Sequence, residues 1–235
     1  MIELLIVVSI SAILAALIFS GVASMSKRAQ AAKCISNLRG LGTALGAYAA
    51  DHRNMLLPRS LGLYRTTEAP EPIGLRAWPA RLLNLGYIES EDIFYCPASF
   101  PRNAKEANHS LATDIGPFRT YGMRIWVTPS EIGRSFTSNP QREEHKPLHA
   151  IEKPSDFFIL TDSHWAKLAP PSQGYGINPD IPKEQMIDLR HFERANSLFA
   201  DGHVEAKDQE YYESLGESQK AYTGGKVYSF GVLTH

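Results

Sequence analysis

The sequence predicts an α+β chain. A long N-terminal α-helix, transmembrane in its first half and amphipathic in its second, packs on a small antiparallel β-sheet domain. Three observations carry this. No Asp, Glu, Lys or Arg occurs from Leu4 to Met25. From Ala31 to Tyr48, apolar residues recur every three or four positions. The remainder consists of short apolar runs in a chain holding 15 Pro and 17 Gly, a composition that favours turns and short elements over a helical bundle. The expected organisation is residues 1–26 as the transmembrane half of the helix, 27–51 as its amphipathic half, and 52–235 as a soluble sheet domain with long loops.

At the rise of an α-helix, the uncharged run spans roughly 33 Å, enough to cross a bilayer core. Two other readings compete with a membrane helix. A cleavable secretory signal would have a basic start and a shorter apolar region; this segment has neither, although "GVASMS" offers a small-residue site. A buried core helix is the other, and so long an uncharged run exceeds what a domain of this size needs. Beyond Lys27, Ala31, Cys34/Ile35, Leu38, Leu41, Leu45 and Tyr48 line one face, while Lys33, Asn37, Arg39 and Thr43 take the others. Gly40, Gly42 and Gly46 weaken such a helix by about 1 kcal/mol each relative to Ala, and allow bending or close packing.

After Asp51, a Pro/Gly-rich stretch to about Pro79 reads as loop. "WPARLLNLGYIE" reads as a short helix, with Leu82, Leu83 and Leu85 packing and Gly86 near its end. "DIFYCPAS" is an extended piece carrying Cys96 toward the core. "TYGMRIWV" (Thr120–Val127) and "SDFFILTD" (Ser155–Asp162) read as strands, the second a buried one bounded by polar ends. Residues 128–150 are polar and turn-rich. In "NSLFADGHVEA", runs at Ser197–Ala200 and His203–Ala206 flank Asp201-Gly202, which suits a two-residue type I′ hairpin because both central residues need positive φ.

Charges nearly cancel, 24 Lys+Arg against 25 Asp+Glu, and no basic stripe interleaved with aromatics marks a nucleic-acid binder. No G-x-S-x-G, H-E-x-x-H, P-loop or G-x-G-x-x-G occurs, so no enzyme is expected. Pro147 breaks any helix that would align His145 with His149. Asp162, His164, His191, Asp201 and His203 are the candidates for a metal or acid–base site. Imidazoles and carboxylates suit divalent transition metals, while carboxylates with backbone oxygens suit calcium. The simpler reading stands beside it: Asp201 serves its turn, and His191 holds a backbone carbonyl. Cys34 and Cys96 lie in no zinc-type spacing. They are either two buried thiols or, in an exported chain, a disulfide. That disulfide would tie the helix to the sheet domain by closing a loop of about 60 residues, worth about 2–4 kcal/mol.

"IELLIVVSISAILAALIF" followed by "KRAQAAKCISNLRGLGTALGAYAADH" resembles the N-terminus of type IV pilins and type II secretion pseudopilins. His191, nine intervening residues and Asp201-Gly202 resemble the H-X9-DG signature of a group of bacterial pilin-like proteins. That group also carries a Cys on the helix and a later Cys-Pro, here Cys34 and Cys96-Pro97. The resemblance covers both ends and one middle anchor, and it implies a pilin-like fold and a non-enzymatic subunit assembling through its N-terminal helix into a periplasmic or surface filament. Glu3 would be the family's N-terminal Glu, meeting the N-terminal amine of a neighbouring subunit; the alternative is a headgroup-level carboxylate of an ordinary anchor. Met1 aligns with the third mature residue, so either the leader, its Gly and the Phe-Thr would precede this sequence, or the chain is an unprocessed variant. The implied partners are copies of itself or related subunits, the inner membrane, prepilin peptidase and the assembly machinery. The implied location is the bacterial inner membrane, single-pass, with the C-terminal domain in the periplasm. Lys27, Arg28, Lys33 and Arg39 alone would place that domain in the cytoplasm. Major pseudopilins carry a calcium site whose ligands have no residue-by-residue match here, so the expected cofactor is none, with a divalent cation such as calcium as the exception. A monomeric, membrane-anchored periplasmic binding or metal-binding protein with a pilin-type export signal is the alternative function.

Overall fold

The computed structural model describes residues 2–57, 77–108, 111, 119–124, 147–168, 172–177, 185–218 and 232–233. A single helix, α1, runs over Ile2–Asp51 with Glu3 exposed in its first turn, where a carboxylate favours the helix dipole. Its two halves have different surroundings. Ile2, Leu4, Ile6, Val7, Val8, Ile10, Ile13 and Leu14 are all exposed, as are Val22 and Met25. From Cys34 onward one face is buried, through Cys34, Asn37, Leu38, Leu41, Ala44, Leu45, Tyr48 and Ala49. The helix ends where Arg53 and Asn54 take positive φ, with the Asn54 amide donating back to Ala49 O at 2.7 Å.

The expected transmembrane half is not found. Among the described residues, no helix is long and apolar enough to cross a membrane.

The sheet is also not the simple antiparallel one expected. A five-stranded sheet has the order β4-β1-β2-β6-β7, built from β1 (Gly122–Arg124), β2 (Phe158–Thr161), β4 (Gly176–Ile177), β6 (Ala195–Phe199) and β7 (Val204–Lys207). A second sheet has the order β3-β5-β8, from β3 (Ser163–Trp165), β5 (Gln185–Asp188) and β8 (Val232–Leu233). Both are mixed: β1 with β4 and β5 with β8 are parallel, and the other pairs antiparallel. The "SDFFILTD" run becomes β2, narrowed to Phe158–Thr161, and "TYGMRIWV" contributes only β1. Residues 125–127, like most of 128–150, lie outside the described residues.

Strand β6 is buried on both faces. Leu198 faces the core that α1 covers, while Ala195 and Phe199 join Phe158, Ile187 and Leu189 on the reverse. Helix α4 (Gln209–Ser218) closes that reverse side with Tyr212 and Leu215. The Tyr212 hydroxyl lies 2.6 Å from Ser197 Oγ, which lies 2.6 Å from Thr161 Oγ1, so the polar atoms inside this layer satisfy one another. Close approach of α1 needs its glycines. A Cβ on Gly40 would stand 2.5 Å from Ile93 Cδ1, and one on Gly42 2.8 Å from Leu198 Cδ1. Gly46 meets nothing within 4 Å.

Shorter elements position the loops. Helix α2 (Trp78–Asn84) has Pro79 in its first turn and buries Trp78, Ala80 and Leu82, while Leu85 is exposed. "DIFYCPAS" is not extended throughout: Glu91–Phe94 is a 3₁₀ turn whose N-terminal Ser90 accepts from the Asp92 amide, and Cys96 follows it into the core. Helix α3 (Ala104–Ala107) is capped by Asn103.

Opposite faces of α1 should respond to substitution with opposite signs. Leu41→Ala, in the packed face, should lower unfolding free energy by about 2–5 kcal/mol. Gly46→Ala, on the exposed face, should raise it by up to about 1 kcal/mol. Denaturant melts of the full chain measure both; equal effects would mean that the buried face is misassigned.

Candidate metal centre

Four side chains from four distant segments converge under α1. Cys34 is the first buried residue of the helix among those described. Cys96 follows the 3₁₀ turn, and its amide donates to Gln173 Oε1 at 3.2 Å. Asp162 joins β2 to β3. Its backbone is held on both sides: its amide donates to Asn196 O at 3.2 Å, and its carbonyl accepts from the Asp188 amide at 3.1 Å. His191 follows β5.

The turn that carries His191 is unusual. His191 and Arg194 exchange both backbone hydrogen bonds, at 3.0 and 3.2 Å, and the two residues between them, Phe192 and Glu193, have φ of 56° and 60°. Two consecutive positive φ values are what a type I′ turn requires, here without glycine or asparagine, at a cost of about 1–2 kcal/mol per residue. By contrast, the Asp201-Gly202 turn is not the type I′ turn expected. Only Gly202 is left-handed, with φ 91°. The Gly202 amide donates to Phe199 O at 3.0 Å and the Phe199 amide to His203 O at 2.9 Å, which describes a three-residue loop with glycine in the left-handed position.

The ligand atoms of Cys34, Cys96, Asp162 and His191 all lie within 4.8 Å of one another, and all four residues are buried. Cys34 Sγ donates to Asp162 Oδ1 at 3.5 Å and stands 3.7 Å from Oδ2. Cys96 Sγ is 3.3 Å from His191 Nε2, and His191 Nε2 is 3.4 Å from Asp162 Oδ2. Asp162 Oδ2 also accepts from the Asn196 amide at 2.9 Å. Cys34 and Cys96 are both free and buried in this group. The group could hold a metal ion.

Burial and charge oppose each other here. Burial alone would raise the Asp162 carboxyl, yet the charge and hydrogen bond of His191 hold it below the usual carboxylate range. Burial would lower His191, yet its hydrogen bond to Asp162 and that carboxylate's charge raise it to about 10. Burial, with a hydrogen bond to Cys96, pushes Cys34 well up. Cys96 falls to about 7, because hydrogen bonds from Cys34 and His191 outweigh its burial. The group thus sets a carboxylate held low against an imidazole held high, beside two sulfurs shifted in opposite directions, with the Arg190 guanidinium close enough to act on both Cys96 and Asp162.

Of the metal candidates named from sequence, Asp162 and His191 meet, and the others do not join them. His164 pairs with Asp188, Nδ1 to Oδ2 at 3.9 Å. Asp201 and His203 form an exposed pair on the hairpin, with the His203 amide donating to Asp201 Oδ1 at 3.1 Å. Cys34 and Cys96 were the missing half. The signal was their number: the chain has only two cysteines, and both sit beside apolar segments that head for the core. No protein-family model, curated protein or solved structure matches this chain.

Two substitutions test this geometry in chelator-treated protein. Asp162→Ala strips the imidazolium of its buried partner and should cost about 3–5 kcal/mol; a loss below about 1 kcal/mol would mean that the pair is not ionised. Glu193→Gly removes a left-handed Cβ and should stabilise by up to about 1 kcal/mol, with thermal melts showing the gain.

Proposed function

We propose that this chain is a non-enzymatic subunit that assembles with copies of itself through the first half of α1, as its resemblance to type IV pilins and pseudopilins implies. The observation that carries this is the bare apolar surface of that half: Ile2 is 74% and Leu4 73% exposed. The exposed residues also go most of the way round. At 100° per residue, Ile2, Leu4, Val7, Val8, Ile10 and Leu14 spread over about 240° of the helix circumference. An apolar surface that wide requires apolar partners on more than one side. One groove on a partner would cover only one face. Equivalent helices from several copies would cover them all, and repetition of that contact builds a filament.

Burying one such side chain is worth about 1.5–3 kcal/mol. The eight exposed apolar residues from Ile2 to Leu14 together supply on the order of 10 kcal/mol before association costs. The sheet domain then lies outside the helical core and sets what the assembly touches. A second reading, a monomeric metal-binding protein, draws on the Cys34/Cys96/Asp162/His191 group.

The test is sedimentation of the full-length chain as solubilising detergent is diluted away. Assembly into large species is expected, with inter-chain crosslinks through Ser11→Cys. Val7→Asp combined with Ile10→Asp should hold the chain as a small species with an unchanged melting midpoint of the sheet domain. A wild-type chain that stays monomeric throughout selects the second reading.

A further inference from the structure

We infer that Cys34, Cys96, Asp162 and His191 form a structural zinc site that fastens α1 to the sheet domain. The donor set argues for the metal. Two sulfurs and one imidazole nitrogen are soft to borderline ligands that suit zinc, whereas calcium takes oxygen alone. The calcium considered from sequence is therefore excluded at this site by its two thiols.

The spacing argues for the geometry. With metal–sulfur bonds of about 2.3 Å and metal–nitrogen or –oxygen bonds of about 2.0–2.1 Å, the edges of a tetrahedral site measure about 3.3–3.8 Å. The observed contacts, taken to one oxygen of Asp162, are 3.7 Å from Cys34 Sγ to Asp162 Oδ2, 3.3 Å from Cys96 Sγ to His191 Nε2, and 3.4 Å from His191 Nε2 to Asp162 Oδ2. The remaining separations stay under 4.8 Å, so small side-chain rotations complete the tetrahedron.

The shell around the site argues for a prepared one. The Asn196 amide fixes the Asp162 carboxylate, and outer hydrogen bonds of this kind orient metal ligands. The strained Phe192-Glu193 turn aims His191 inward. A cavity of about 310 Å³ lies beside the site, with Lys27, Gln30, Arg190, His191 and Glu193 in its lining. Zinc would displace the two thiol protons and the imidazolium proton to solvent. All four positions are then filled by protein, which is the closed coordination of a structural site with no place for substrate. The binding energy becomes folding energy, spent on joining the helix, the Cys96 loop, the β2–β3 junction and the β5–β6 turn.

Zinc binding is independent of assembly, since a chain that never associates can still hold the ion. The test is metal analysis of the full-length chain purified with reductant and without chelator. One zinc per chain is expected, released by thiol alkylation after unfolding. Replacement by Co²⁺ should give thiolate-to-cobalt charge-transfer bands and the intense visible bands of a tetrahedral ion. Cys96→Ser should weaken zinc binding by more than about a hundredfold, beyond what loss of an outer hydrogen bond causes. His164→Ala and His203→Ala should leave it unchanged. Should Cys96→Ser fail to fold, Cys34→Ser and His191→Gln carry the same expectation, and the wild-type titration decides by itself. A reduced, folded chain that emerges from gel filtration without metal after equimolar zinc overturns the inference. So does a cobalt spectrum without thiolate bands.

Discussion

The buried carboxylate of Asp162 constrains the rest of the molecule. An ionised group taken out of water costs several kcal/mol and must find partners. Asp162 finds them in three directions: the Cys34 thiol from α1, the His191 imidazole from the β5–β6 turn, and the Asn196 amide from β6. Each partner is delivered by a different element, so the carboxylate settles how the helix, the turn and the central strand sit together. The hydrophobic packing of Leu38, Leu41 and Leu45 is less demanding, since apolar contact has no fixed direction. The polar cluster supplies direction, and it sets the rotation of α1 about its own axis through Cys34.

The same constraint explains why β6 is buried twice. One face must receive α1, and Leu198 fits under Gly42 there. The other face would leave Phe199 and Phe158 in water, and α4 supplies Tyr212 and Leu215 to cover them. Nine residues separate His191 from Asp201 because β6 lies between them. One end of the strand presents a ligand to the cluster, and the other turns back into β7. The two parts of the H-X9-DG spacing therefore do separate jobs joined by one strand.

What the sequence made legible follows from range. The packed face of α1 from Cys34 to Tyr48 was readable because helical period is a local property. The β2 run was readable from a buried apolar stretch with polar ends. The DG turn was placed correctly, but its type was not, since loop length depends on the register with the partner strand. The β5–β6 turn was invisible: nothing about Phe192-Glu193 announces positive φ, and only surrounding structure holds it there. Parallel pairing of β1 with β4 and of β5 with β8 likewise depends on chain returning from far away. The cluster was half legible. Asp162 and His191 read as metal candidates, and Cys34 with Cys96 as a disulfide pair, because each couple makes sense by itself. That they are one group is a fact of tertiary structure, with members spread from position 34 to position 191.

The position of the cluster along α1 bears on both halves of the helix. Cys34 is where burial begins; the described side chains before it are exposed or half-exposed. A helix leaving its domain acts as a lever, and the last fixed point sets how firmly the free arm is held. Leucines alone would let the arm rock, because apolar side chains slide past one another at little cost. A directional contact at the boundary resists that motion, and a four-coordinate ion would resist it more than hydrogen bonds through protons. In the proposed assembly, the free half would then project at a fixed angle from every copy. Fixed angles are what repeated helix–helix contacts need if they are to add one copy after another in the same geometry. In the assembly proposed above, the fastening at Cys34 would set the direction in which the exposed apolar side chains between Ile2 and Leu14 are presented.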